Sequence, residues 1–105
     1  MEDFVSMNII EKLKEKGYPI KHYTEGKFGL TELKEVPIAP TIYQVLKWLR
    51  EEKKIHICID FDKDMNWYYQ IAIYDSTDIA SDGYGFKSYE DAVLAGIEYV
   101  LDNII

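Results

Sequence analysis

The sequence predicts an α+β fold, because helical and strand periodicities follow one another along the chain. In three segments the apolar residues recur every three to four positions, as on one face of an amphipathic helix. In two others they alternate with polar residues, as in a strand with one buried face. We therefore expect an N-terminal helix and small hairpin, then an α-β-β-β-α unit whose helices pack on one face of a short antiparallel sheet.

Length and composition predict that residues 1–105 form a single domain. The chain is 48% hydrophobic and 30% charged, which is enough apolar surface for a core without disulfides or metal. Within this domain we expect residues 1–40 to be a helix and hairpin extension. Residues 41–105 are expected to be the α-β-β-β-α core.

The first forty residues predict three local structures. Residues 3–16 form an amphipathic helix that ends at Gly17, and its apolar residues are Phe4, Ile9, Ile10 and Leu13. Short β-type pieces at residues 22–24 and 27–28 predict the hairpin. Residues 31–40 contain two prolines and no clear period, so they are expected to be a connector.

Two further helices are marked by their first turns. Thr41 and Gln44 have the spacing of a capping box, in which each side chain accepts a backbone N–H of the other residue. Ser88, with Asp91 three residues later, opens the last helix in a similar way. A small residue on the inward face of that helix, Gly96, should let it approach the sheet closely.

The sheet is predicted from strict alternation. Residues 55–61 and 67–74 should pair antiparallel across a turn at residues 62–66. A weaker third strand is expected over residues 79–83 or 79–85. The alternation places Phe61 on the apolar side, and the predicted core consists of Ile57, Ile59, Trp67, Tyr69, Ile71, Val93, Ile97 and Val100.

The charge and cysteine content bear on partners and location. With 19 acidic and 12 basic residues, the formal net charge of −7 repels phosphate backbones and disfavours nucleic-acid binding. A single cysteine, Cys58, forms no internal disulfide, so a cytoplasmic location is expected. The sequence begins without a signal-peptide pattern, and no apolar stretch approaches the ~18 residues that span a bilayer, so neither secretion nor membrane insertion is expected.

One acidic segment partly matches a calcium-binding loop. Asp60, Asp62 and Asp64 occupy its first three ligand positions. The sixth position requires glycine but is Met65, and the twelfth requires glutamate but is Ile71. We read the segment as a solvated acidic turn, and a loose divalent-ion site remains as the alternative.

Two other motifs are incomplete. Residues 83–88 resemble a phosphate-binding loop, but Phe86 stands where glycine must precede Lys-Ser, and the two glycines are expected instead to shape the turn into the last helix. Cys58 could pair with His56 or His22 as a nucleophile and base, but no third orienting group is identifiable. Metal binding by these three residues has no recognised spacing. No catalytic, metal or cofactor-binding residue is assigned, and no cofactor is expected.

The polar face of the predicted sheet is the candidate interaction surface. It combines aromatic and polar side chains, a mixture typical of binding surfaces, and the candidate residues are His56, Tyr68, Gln70 and Tyr74. They would meet an unknown protein partner or a second copy of the chain. Alternatively, the N-terminal helix and hairpin cover this face, and the sequence leaves both readings open.

Several segments of the chain together form a recognisable pattern: Pro40-Thr41 with Lys47-Trp48-Leu49-Arg50-Glu51-Glu52, Ile55-His56-Ile57, Trp67-Tyr68-Tyr69, and Gly85-Phe86-Lys87-Ser88-Tyr89-Glu90-Asp91-Ala92 with Gly96-Ile97. They resemble an uncharacterised family of small proteins encoded by gut anaerobic bacteria, their phages and mobile elements. The resemblance covers residues 40–105 well and the first forty only loosely. It implies no function and no site residues, because the shared residues are caps, core aromatics and turn glycines.

Three functional hypotheses follow. The first is a small cytosolic, non-enzymatic protein-interaction module of phage or mobile-element origin. The second is a nucleic-acid-binding or antitoxin-like regulator, because the α-β-β-β-α order matches double-stranded-RNA-binding domains and the Ser88–Ala92 segment loosely resembles HicB-type antitoxins. The third is a metal-assisted hydrolase that uses the Asp60, Asp62 and Asp64 cluster.

Overall fold

The computed structural model describes residues 3–25, 34–74 and 79–105 and confirms the mixed α+β fold. The elements in chain order are α1 (Met7–Glu15), β1 (His22–Glu25), β2 (Lys34–Pro37), α2 (Ile42–Glu52), β3 (Ile55–Phe61), β4 (Trp67–Ile73), β5 (Ile79–Phe86) and α3 (Tyr89–Asn103). Strands β1 and β2 form a two-stranded hairpin, and β3, β4 and β5 form an antiparallel sheet in that order. No helix in the described ranges is long and apolar enough to cross a membrane.

Each helix begins at a side-chain cap. Thr41 and Gln44 form the predicted capping box, with N···O distances of 3.1 and 2.9 Å. The Ser88 hydroxyl accepts the Asp91 N–H at 3.1 Å, also as predicted. The first helix starts later than predicted, because Ser6 caps it and Phe4 lies outside it, in an isolated bridge to Thr41. Phe4 is consequently 64% exposed.

The hairpin differs from the prediction in its second strand. β1 pairs antiparallel with β2, from His22 opposite Pro37 to Glu25 opposite Lys34. The predicted partner at residues 27–28 lies outside the described residues, and the segment expected to be a connector supplies the strand instead. Pro37 is tolerated because it ends a strand that has only one neighbour, where a missing N–H costs little.

The third sheet strand reaches further than predicted because it contains a bulge. Tyr84 lies opposite Tyr68 and Phe86 opposite Trp67, so one extra residue, Gly85, is accommodated between them. Its φ of +93° is a conformation that glycine adopts without a side-chain penalty. The two glycines of this segment therefore lie within β5, and the expectation that they shape the turn into the last helix is wrong.

The core lies between one face of the sheet and the helices. Helices α2 and α3 pack on that face, and α1 packs on α3, where the Lys12 ammonium contacts Glu98 at 2.7 Å and Asp102 at 3.0 Å. Most predicted core residues are buried there: Ile57, Tyr69, Ile71, Val93, Ile97 and Val100. The helices leave one end of the sheet less covered. Ile59 and Trp67 are consequently only partly buried, and Phe61 is 48% exposed.

Tyr69 occupies a slot made by two glycines. A Cβ at Gly96 would lie 3.0 Å from Ile57 Cγ2 and 3.3 Å from Tyr69 Cγ, which explains the small residue predicted to allow close approach. A Cβ at Gly83 would overlap the outer half of the Tyr69 ring. The ring also lies against Phe86, with 5.8 Å between centroids. Helix α3 and strand β5 can therefore approach β4 only because both positions lack side chains.

Candidate interaction surface

The sheet face opposite the helices is exposed, and we call it the open sheet face. Its residues alternate with the core residues along the three strands, and they are His56, Cys58, Asp60, Tyr68, Gln70, Ala72, Tyr74, Asp82 and Tyr84. Tyr74 is 72% exposed and Tyr84 is 63% exposed. Together with the partly buried Tyr68, they place three tyrosines on one sheet face, and clustered rather than single exposed aromatic residues are typical of binding surfaces.

The N-terminal segment does not cover this face in the described part of the chain. Helix α1 packs on α3, which lies on the other side of the sheet. Among the described elements, none packs against the hairpin of β1 and β2. The sequence left open whether the N-terminal helix and hairpin cover this face. In the described residues they do not.

The four predicted surface residues share the face but not one cluster. The pairing places His56 beside Ala72, Gln70 beside Cys58, and Tyr68 beside Asp60, in successive rows. His56 and Tyr74 thus lie at one end of the sheet, and Tyr68 and Gln70 lie toward the other. The surface is a strip that runs along the strands.

One end of the strip is a basic groove. Arg50, Lys54 and His56 line a depression of about 410 Å³ together with Tyr74. Apolar atoms of Ile55, Ala72 and Ile73 complete its lining. The Lys54 ammonium donates to the carbonyl of Glu51, three residues earlier in the same turn, at 2.9 Å. This end would favour an acidic group beside an apolar one.

The other end is acidic and is organised around Asp62. Its carboxylate accepts the Tyr84 hydroxyl and the backbone N–H groups of Asp64, at 2.8 Å, and Asn66, at 3.0 Å. The Tyr84 hydroxyl and these N–H groups lower the pKa of Asp62, and the Asp62 carboxylate raises the pKa of Tyr84. Next to them, Tyr68, Gln70, Asp82, Gly83 and Tyr84 line a shallow depression of about 210 Å³.

Two of the three acidic residues weighed as metal ligands already accept backbone N–H groups. Asp62 bonds to the turn backbone, as described above, and Asp60 accepts the N–H of Phe61 at 2.8 Å. Within the described residues, no group of three or more His, Cys, Asp or Glu side chains is arranged to hold a metal ion. His22 lies on the separate hairpin, so it is not brought together with His56 and Cys58.

Three residues of the surface were missed by sequence reasoning. Tyr84 lies on the open sheet face by simple alternation with Asp82, and the weak strand signal of residues 79–85 hides it from sequence reasoning. Arg50 and Lys54 reach the groove because the end of α2 connects to β3 through a short turn in which Lys54 has a φ of +58°. No sequence pattern indicates that turn.

Comparisons with protein families, curated proteins and solved structures yield no match to this chain. The resemblance found over residues 40–105 therefore stays a prediction.

Proposed function

We propose that this protein is a cytosolic, non-enzymatic protein-interaction module that serves a phage or mobile element, and that a protein partner docks on the open sheet face. The observation that carries the proposal is the exposure of Tyr74 and Tyr84, 72% and 63%, on a face that no described element covers. The cytosolic location rests on the single unpaired cysteine, and the genetic context rests on the sequence resemblance alone.

The side chains of the open sheet face indicate which properties a partner would need in order to bind there. Tyrosine side chains contribute large contact area at little conformational cost, so Tyr68, Tyr74 and Tyr84 are the expected anchors. A basic groove at one end and the Asp62 turn at the other favour a partner with an apolar strip between an acidic and a basic end. Such opposed charges orient a partner along the strands.

The alternatives receive less support. A nucleic-acid-binding or antitoxin-like role has the basic groove in its favour, but the first turn of α3 carries Glu90 and Asp91 and the net charge is −7. A metal-assisted hydrolase would need the carboxylates of residues 60, 62 and 64 to converge. In the described structure those of Asp60 and Asp62 accept backbone N–H groups instead.

A paired set of tyrosine variants tests the proposal. A partner is first captured from a lysate of the natural host and purified. Its dissociation constant is then measured for the Tyr68→Ala, Tyr74→Ala double variant, with folding checked by circular dichroism. We expect binding to weaken at least about tenfold, because central aromatic anchors dominate interface energies.

The control removes two exposed tyrosines elsewhere. Tyr43 on α2 and Tyr99 on α3 are 53% and 36% exposed and lie outside the open sheet face. The Tyr43→Ala, Tyr99→Ala variant should bind as the unaltered protein does. Undiminished affinity of the folded Tyr68→Ala, Tyr74→Ala variant would contradict the proposal.

A further inference from the structure

Strand β3 lies at one edge of the described sheet, with β4 as its neighbour on one side only. None of the other described strands pairs with its outer side. The ladder to β4 is bounded by backbone bonds from Tyr74 N–H to Lys54 O, at 2.8 Å, and from Asp62 N–H to Asn66 O, at 3.1 Å. Because bonding residues alternate in an antiparallel pair, the even-numbered residues bond to β4 and the odd-numbered ones face outward.

The outward groups therefore belong to the residues whose side chains face the core. These are Ile55, Ile57, Ile59 and Phe61. The N–H of Phe61 is accepted by the adjacent Asp60 carboxylate at 2.8 Å, which agrees with its outward direction. An edge strand of this length, without proline or glycine, is a template for pairing with another strand.

The charged side chains along β3 are complementary to those of a second copy of β3 that runs antiparallel to it. Residues 54–62 read Lys-Ile-His-Ile-Cys-Ile-Asp-Phe-Asp, with basic groups at one end, acidic groups at the other and Cys58 in the middle. Opposed to an antiparallel copy centred on Cys58, His56 faces Asp60 of the second copy and Lys54 faces Asp62 of the second copy. Parallel pairing in register would place like charges side by side.

We propose that two copies of this chain pair antiparallel through their β3 edges, about a two-fold axis at Cys58, and form a continuous six-stranded sheet. In this register Ile57 of each copy exchanges backbone bonds with Ile59 of the other, so the outward groups of these two residues are satisfied in pairs. This pairing goes beyond the proposed function, because it leaves the open sheet face uncovered and doubles the number of strands that form it.

The register is specified on both sides of the sheet. A slip of two residues in either direction places His56 or Asp60 opposite Cys58, so His56 no longer faces Asp60. On the apolar side, antiparallel pairing sets Phe61, which is 48% exposed, beside the buried Ile55 of the other copy. The opposite edge of the sheet, β5, is a poorer template because its bulge and its two glycines interrupt the pairing pattern.

Charge reversal at one position tests the pairing. The two-fold axis makes each substitution act twice, so His56→Asp opposes two pairs of carboxylates and Asp60→Lys opposes two pairs of basic groups. The unaltered chain should be a dimer by light scattering at micromolar concentration. Each single variant should remain folded by circular dichroism and be at least about tenfold weaker in self-association.

Mixing the two variants supplies the decisive control. In an equimolar mixture of His56→Asp and Asp60→Lys chains, each new charge meets an opposite one across the axis, so a mixed dimer should form. A monomeric unaltered chain at about 100 μM, or a dimer that neither variant weakens, would overturn the proposal. So would two weakened variants that fail to associate with each other.

Cross-linking checks the register independently. Cys58 is exposed and would face Cys58 of the second copy in a non-hydrogen-bonded pair, with Cα atoms about 4.5 Å apart, within the range of disulfides. Diamide, as the two-electron oxidant, should therefore link the two thiols of the unaltered chain into a covalent dimer. A dimer that does not cross-link would refute this register. None of these outcomes bears on the tyrosine variants, so this proposal and the proposed function fail separately.

Discussion

Replacing Gly83 by alanine tests the packing of Tyr69, the residue that joins the sheet to helix α3. A Cβ at position 83 would lie 2.6 Å from Cζ of Tyr69 and closer still to Cε2. The ring has little room to move away, because Tyr69 is 6% exposed and is flanked by Phe86 and by the backbone of Gly96. Overpacking of this kind costs about 1–3 kcal/mol of unfolding free energy.

The assay is urea denaturation followed by circular dichroism, supported by thermal melting. For a domain of this size each 1 kcal/mol lowers the melting temperature by roughly 4–8 °C, so Gly83→Ala should melt visibly earlier. The matched control is Gly85→Ala. A Cβ there meets nothing within 4 Å, so its cost of about 1–2 kcal/mol comes from the φ of +93°.

A double-mutant cycle separates the two causes. Tyr69→Leu removes the ring and is itself destabilising by about 2–4 kcal/mol. In that background Gly83→Ala should become nearly neutral, with a coupling energy of about 1–2 kcal/mol, whereas the cost of Gly85→Ala should not change. If Gly83→Ala costs the same with and without the Tyr69 ring, the packing argument is wrong.

Three further predictions concern the core, the acidic turn and nucleic acid. Ile97 is fully buried, so Ile97→Asp should unfold the domain, as seen by circular dichroism, whereas Ile97→Val should lower the unfolding free energy by only about 1 kcal/mol. If Ile97→Asp melts cooperatively near the temperature of the unaltered protein, the core assignment is wrong. Because the Tyr84 hydroxyl is the first cause of the lowered pKa of Asp62, Tyr84→Phe should raise that pKa in an NMR titration, and an unchanged value would refute the contact. The stability that Asp62 contributes is present above its unfolded pKa and is lost as the pH falls through the folded value, so Tyr84→Phe should reduce that pH dependence. Finally, duplex DNA or RNA should not bind more tightly than about 100 μM at physiological salt, and submicromolar retention in a gel-shift titration would favour the regulator hypothesis instead.

Local sequence was sufficient for the parts of the fold that local interactions stabilise. The caps at Thr41 and Ser88 join side chains to backbone groups three residues away, so their partners are visible in the sequence itself. The alternation over β3 and β4 assigned Ile57 and Ile71 to the core for the same reason, because side chains two positions apart must share a face. His56 and Tyr74 alternate with these core residues, so the same rule assigned them to the opposite face of the sheet, as candidate surface residues.

The tertiary structure decided what depends on distant partners. The pairing of β1 with β2, and the backbone bonds that join Asp3 and Val5 to the segment before α2, connect residues that no local pattern brings together. Phe86 follows Tyr84 by two positions, but the bulge at Gly85 turns it to the core side, where it packs against Tyr69, and this depends on the register between strands. The order of charges from Lys54 to Asp62 can be read from the sequence. That β3 lies at an edge of the sheet is known only from the strand order, because the packing of the whole chain decides which strands are neighbours.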